Sequence, residues 1–193
     1  MNLTGDPAAD ALLERDPFAL LVGMLLDQQV PMENAFAGPA KIAARMGTGD
    51  RLDPAAIAAA DPEEFAALCA TPPAVHRFPQ SMAGRVQALA RTVVDTYQGD
   101  TSRLWADGAD GTEVLRRLQG LPGFGAQKAQ IFLALLGKQR AVTPAGWREA
   151  AGRYGGEGTY LSVADVVDQQ SLGRVRETKR AAKAAARAAK GTR

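Results

Sequence analysis

Residues 118–130 read LQGLPGFGAQKAQ, and this stretch limits the fold more than any other. Its flanks carry the apolar spacing of two helices, while the centre holds a proline and two glycines that no continuous helix tolerates. The first helix therefore ends at Gln119-Gly120, turns through Leu121-Pro122, and a second begins at about residue 125. Gly123 and Gly125 permit φ > 0 and put no Cβ in front of the turn. The second helix then starts with free N–H groups and its positive dipole end beside bare backbone, an arrangement that suits a phosphate. Leu118, Leu121, Phe124 and Ile131 are placed to pin the two helices together beneath it.

The rest of the chain reads as helix. Asp16-Pro17, Asp53-Pro54 and Asp61-Pro62 each set an N-cap acid before a proline at the first helical position. Apolar periodicity predicts helices near 17–29, 32–46, 54–59, 62–70, 80–97, 111–119, 125–136, 145–152 and 171–190. In the 80–97 segment Met82, Val86, Leu89, Val93 and Tyr97 fall on one face. No segment alternates at period two, so the expected class is all-α. Loops fall at 71–79, 106–110 and 153–160.

Alanine-rich composition with 6% aromatics fits close-packed helices. No apolar run approaches the ~20 residues of a membrane span, and MNLTGDPAAD lacks the regions of a signal peptide, so the expected location is cytoplasmic, on the nucleoid when bound to DNA. A single cysteine, Cys69, excludes an internal disulfide, a zinc cluster and a four-cysteine iron–sulfur centre; it reads as a small core residue. The formal charge of +2 hides an asymmetry. From Ser171 onward eight basic residues face one acid, a net +7, and the remaining 170 residues carry −5. A slightly acidic body with a concentrated basic end suits a polyanion, although an alanine-rich helix of this kind is also a good solvated terminal helix.

LPGFGAQKA resembles the helix-hairpin-helix of the HhH-GPD superfamily, the base-excision DNA glycosylases related to endonuclease III, the adenine glycosylase and bacterial alkyladenine glycosylase. FALLVGMLLDQQVPMENAF resembles the family's early helix with its "QQ" step, and MAGRVQALARTV precedes the hairpin in the family's order. The likeness covers roughly 17–150 and looks closest to a small bacterial branch without the iron–sulfur cluster. It implies two helical lobes with a cleft between them. Residues 1–16 would be an N-terminal helix packing on the second lobe, 17–136 the helical core with the hairpin at 111–136, 137–170 the rest of the second lobe, and 171–193 a basic helix.

The resemblance also implies site residues. Backbone N–H groups of Gly123, Gly125 and Gln127 would hold a DNA phosphate, with Lys128 beside them. Carbonyls of Gln119, Leu121 and Phe124 would hold a monovalent cation, K+ or Na+, as an optional structural ion; no cofactor is required. Gln29, with Gln28 next to it, matches the residue inserted behind a flipped base. Beyond the likeness, the charge of the C-terminal helix adds Arg174, Lys179, Arg180, Lys183 and Arg187, expected to lie along double-stranded DNA, damaged or branched. Two positions depart from the family. Gln127 stands where bifunctional members carry a nucleophilic lysine, with Lys128 about 100° further round the helix and expected to point elsewhere. Thr143 stands where active members carry the aspartate that stabilises the departing sugar's charge. Asp27, Glu33 and Glu149 are the candidates for a relocated acid. His76 reads as a local hydrogen bonder, and Trp147 as packing in the core or in the would-be pocket.

Three functions follow. The first is a DNA-binding protein with the glycosylase scaffold and weak or absent base excision, and no lyase activity. The second is a monofunctional glycosylase using a relocated carboxylate and water. The third is a protein-interaction module whose tail binds a protein partner.

Overall fold

The computed structural model describes residues 2–191, with side chains as far as Ala189; Thr192 and Arg193, the end of the expected 171–193 segment, lie outside the described residues. Ten α-helices follow in order: α1 (Pro7–Arg15), α2 (Pro17–Leu26), α3 (Met32–Arg45), α4 (Pro54–Ala59), α5 (Pro62–Ala70), α6 (Pro79–Tyr97), α7 (Gly111–Gln119), α8 (Ala126–Gln139), α9 (Trp147–Ala150) and α10 (Gln169–Gly191). Three short 3-10 turns sit at 101–104, 152–154 and 163–165, and the described residues contain no strand. The all-α expectation holds.

Asp-Pro steps start the helices as expected, and a fourth, Asp6-Pro7, starts α1. Asp6, Asp16, Asp53 and Asp61 each accept N–H bonds from the first turn of the helix they precede, and Asp110 does the same for α7. Asp16 also accepts the Leu52 N–H at 2.6 Å, which ties the α2 start to the approach of α4.

α2 is the centre of the molecule. Every residue from Phe18 to Leu26 is buried, so this helix has no solvent face, and it packs against α1, α3, α6 and α8. α6 buries Met82, Val86, Leu89 and Val93, the face read from their spacing, while Tyr97 at its end stays half-buried. The guanidinium of Arg140, just past α8, donates to the Leu13 and Glu14 carbonyls at the end of α1.

Trp147 is buried where α7, α8 and α9 meet. A Cβ on Gly137 would come within 2.5 Å of its ring, and one on Gly111 within 2.5 Å of its backbone. Both glycines are therefore close-approach sites, and Trp147 is core packing rather than a plug in a pocket. On the far side of α8, Lys138 forms a mostly buried ion pair at 2.6 Å with Asp165, which fastens the 163–165 turn to the helix. That turn in turn receives the root of α10.

The hairpin cleft, a candidate nucleic-acid interface

α7 and α8 form the expected hairpin. Leu118, Leu121 and Phe124 are buried under the turn, with Phe124 edge-on to Phe132 at 6.0 Å; Ile131 is half-buried. Gly123, Gly125, Ala126 and Gln127 are exposed. The two glycines have different reasons. Gly123 has φ +81, and a Cβ there would meet Leu25 Cδ1 at 2.5 Å. Gly125 does not use the freedom a glycine has: it lies at φ −72 with open space where a Cβ would be. No backbone conformation requires a glycine here.

Gly125 is also the N-cap of α8, with no side-chain cap. The N–H groups of Ala126, Gln127 and Lys128 have no hydrogen-bond partner among the described residues; the first helical bond is Ala129 N–H to Gly125 O. Five other helices begin on an aspartate whose carboxylate fills this place. A glycine here leaves the positive helix end open to an outside anion. Replacing Gly125 by alanine should therefore leave the melting temperature nearly unchanged and weaken duplex binding several-fold. Gly123→Ala should cost about 1–3 kcal/mol through its forced left-handed backbone, with further strain against Leu25. Thermal melts with binding isotherms for the pair would check this; equal losses of stability would refute the assignment.

A cleft of about 790 Å³ opens in front of this helix start. Its walls bring together Asp27, Gln28 and Gln29 from the end of α2, Gly123, Gly125, Gln127 and Lys128 from the hairpin, and Thr178, Lys179 and Ala182 from α10. Met24, Ile131, Tyr154 and Leu161 add apolar lining.

The expected 17–29 helix ends earlier, at Leu26. Asp27 leaves the helical region at ψ 72, Gln29 sits in the left-handed region at φ 58, and Pro31 precedes α3. The glutamines thus form a loop, not a helix end, and they differ in role. Gln28 is tied down: its amide donates to the Leu25 carbonyl at 3.0 Å and its Oε1 accepts from Arg85 at 3.1 Å. Gln29 is exposed, with no side-chain partner among the described residues. His76 holds this loop from below. Its Nδ1 accepts the Phe78 N–H at 3.1 Å, so Nε2 carries the proton and donates to the Gln28 carbonyl at 2.9 Å.

Lys128 does not point away. It lines the cleft, and its ammonium donates to the Leu25 carbonyl at 2.9 Å, at the negative end of α2. Burial draws its pKa down to about 8, opposed by the charge of Asp27 and assisted by Arg85. The 100° step round α8 fails to remove it because the cleft wraps the exposed first turn of the helix. Gln127 is in the cleft too, its amide donating to the Tyr154 hydroxyl at 2.8 Å.

The acid candidates separate cleanly. Asp27 is in the cleft and partly buried; burial raises its carboxyl pKa, and Lys179 and Lys128 pull it back. Glu33, in the first turn of α3, is ion-paired with Arg176 of α10. Glu149 is exposed on α9 and takes no part in the cleft wall. Thr143 is likewise exposed and absent from the cleft wall, so the position matched to the family aspartate does not face the hairpin start.

The basic helix is not a free tail. Ser171, Leu172 and Val175 are buried, and beyond Val175 no described residue is. Arg174 turns to another hollow, donating to the Tyr160 hydroxyl at 2.8 Å and stacking over its ring at 4.9 Å. Lys179 enters the cleft, while Arg180, Lys183 and Arg187 are exposed on the outer half. The three carbonyls expected to hold a cation differ in what they already accept. Those of Gln119 and Phe124 accept no hydrogen bond among the described residues, and that of Leu121 accepts one, from Phe124 N–H at 3.1 Å.

A family model described as HhH-GPD superfamily base excision DNA repair protein matches residues 22–192. The chain belongs to the HhH-GPD superfamily. The match takes in the QQ loop, the hairpin and α10, that is, every wall of the cleft. No curated protein matches the chain. Membership in this superfamily makes it a base-excision-repair, DNA-binding type of protein. No described helix is long and apolar enough to cross a membrane.

Proposed function

We propose that this HhH-GPD protein grips double-stranded DNA at the hairpin cleft and has weak or absent base-excision activity. The observation that carries the grip is the uncapped start of α8, where three unpartnered N–H groups face outward beside a glycine with no side chain in the way. A backbone phosphate supplies the acceptor that five other helices take from their own aspartate. A K+ or Na+ held by the carbonyls of Gln119, Leu121 and Phe124 would add positive charge beneath the same phosphate. Gln29, exposed and left-handed at the cleft edge, is the side chain free to enter the duplex, while Gln28 and His76 fix its loop. The stripe Lys179, Arg180, Lys183 and Arg187 extends the positive surface by roughly 12 Å along α10.

Weak excision follows from the polar groups. Gln127 has an amide where a lysine nucleophile would be, already bonded to Tyr154. Thr143 offers no carboxylate to the cleft.

One observation favours the monofunctional-glycosylase reading as well: Asp27 is a carboxylate in the cleft itself. With a flipped base resting on Met24, Ile131 and Leu161, its negative charge would stabilise the sugar as the base departs or take a proton from attacking water. The ammonium groups of Lys128 and Lys179 beside it offset part of that negative charge, which fits slow release rather than fast.

Fluorescence anisotropy with a labelled duplex across a salt series tests the grip. The logarithm of affinity should fall against log salt with a slope of about −3 or steeper, since each neutralised phosphate contributes about −0.9. Affinity flat with salt would contradict the proposal.

A further inference from the structure

We propose that α10 is a latched cover over the hairpin cleft, held shut by acids of the protein body that stand in for phosphates, and that duplex DNA opens it by taking over its cations. The inference rests on the DNA-binding reading above and adds a regulation of the same cleft.

Two independent features point to it. The first is where α10 is attached. Its root is fixed by Ser171, Leu172 and Val175, all buried, and by Asp168, which accepts the Ser171 N–H at 2.7 Å. From residue 176 to 189 every side chain is exposed or half-exposed. The outer helix therefore has no hydrophobic anchor, and only polar contacts hold it against the body. The second is what it covers. Thr178, Lys179 and Ala182 form one wall of the cleft whose other walls are the bare hairpin and the QQ loop. A duplex approaching Gly125 and Gln29 together meets this wall.

What holds the wall in place is charge. Arg176 pairs with Glu33 at the α3 start, the Arg side chain being 50% exposed and the Glu 15%. Lys179 and Asp27 line the same cleft, and the lysine's charge offsets part of the rise that burial gives the Asp27 carboxyl pKa. Both acids occupy positions next to basic groups that a phosphate would otherwise attract. An exposed ion pair of this kind favours the shut state by no more than roughly fivefold. A duplex presents many phosphates at once, so it outcompetes two carboxylates for the same helix. On opening, Arg176 and Lys179 join Arg180, Lys183 and Arg187 on the DNA backbone. Glu33 is thus a latch for α10, which gives it a role other than the relocated acid read from sequence.

The reporter is Thr178→Cys, a thiol at the half-exposed, cleft-lining position of α10. The native Cys69 is a quiet background, being buried with its thiol pushed up to about 11; the protein without Thr178→Cys serves as blank. Reaction with the neutral reagent 4,4′-dithiodipyridine should be at least threefold faster when Glu33→Gln or Arg176→Gln is added. The swap Glu33→Arg with Arg176→Glu should restore the slow rate. In parallel, Glu33→Gln should tighten duplex binding about threefold, and Glu63→Gln, the same charge change at an exposed site on α5, should do so much less. Thiol rates unmoved by either single variant, or a swap that fails to restore shielding, would overturn the latch. Rates that split as expected while no variant binds duplex would instead overturn DNA as its key and the DNA reading with it.

Discussion

Cutting the chain after Val175 should give a folded protein that binds duplex DNA at least tenfold more weakly near 50 mM salt, with a log–log salt slope shallower by about 2 units. The cut removes seven basic residues and one acid, most of the positive charge concentrated at the C-terminal end. It removes the cover as well, but the lost cations outweigh the gain in access, because each phosphate contact forgone costs affinity directly while an exposed latch is weak. The position of the cut matters. Ending at Gln170 would also take away Leu172 and Val175, whose burial is worth roughly 1.5–3 kcal/mol each, against a total stability of about 5–15 kcal/mol. The shorter protein should therefore melt far lower or fail to fold, while the one ending at Val175 melts close to the full chain. Anisotropy titrations and thermal melts of the two truncations check both halves. An unchanged slope for the chain ending at Val175 would reduce the outer helix to a solvated one.

The second large effect belongs to Asp27. Asp27→Asn should make the protein more stable at pH 7 and abolish base release, lowering any single-turnover rate by at least about 100-fold. Burial raises the carboxyl pKa in the folded state more than Lys179 and Lys128 lower it. Between the ordinary carboxylate pKa and the raised one, the folded chain keeps a proton that the unfolded chain has lost. Stability therefore falls as pH rises through that window, and the penalty persists above it. Asparagine carries no such penalty. The stability gap between variant and parent should be present at pH 7 and close as pH falls below about 4, where both states are protonated. A melting series over pH, run beside release assays on duplexes with uracil, 3-methyladenine, 7-methylguanine, 8-oxoguanine or hypoxanthine, checks it. If Asp27→Asn is less stable at pH 7, the carboxylate is a structural partner rather than a strained functional group. Release that survives the substitution would remove Asp27 from the chemistry.

The sequence made some features easy to read for identifiable reasons. Asp-Pro steps are local signals, since cap and first residue lie side by side in the chain, and α2, α4 and α5 begin where those steps place them. The buried face of α6 follows from spacing alone. The hairpin was legible because proline and glycine leave a helix little choice. Elsewhere the deciding contacts are distant in sequence. LLDQQV holds no breaker before Pro31, so no proline or glycine announces the end of α2 at Leu26; the loop that follows is held in part by Gln28 bonding to Arg85 and His76, more than 45 residues away. A left-handed Gln29 has no glycine to announce it. Lys128 lies in the cleft against the direction its helical-wheel position suggests, because a wheel shows direction but not how far a cleft wraps. Thr143 was set in the family aspartate's register by likeness alone, and its exposure shows that register does not carry it into the cleft. Glu33 and Arg176 are 143 residues apart, and only the path of α10 brings them together.

The central claim is that the bare start of α8 holds a DNA phosphate, and backbone amide NMR reads it most directly. On titration with a short duplex, the amide signals of Gly125, Ala126, Gln127 and Lys128 should show the largest shifts in the protein, with Gln29 close behind, and Gly125→Ala should diminish them. Shifts confined to the exposed residues of α10, with the hairpin amides unmoved, would contradict it.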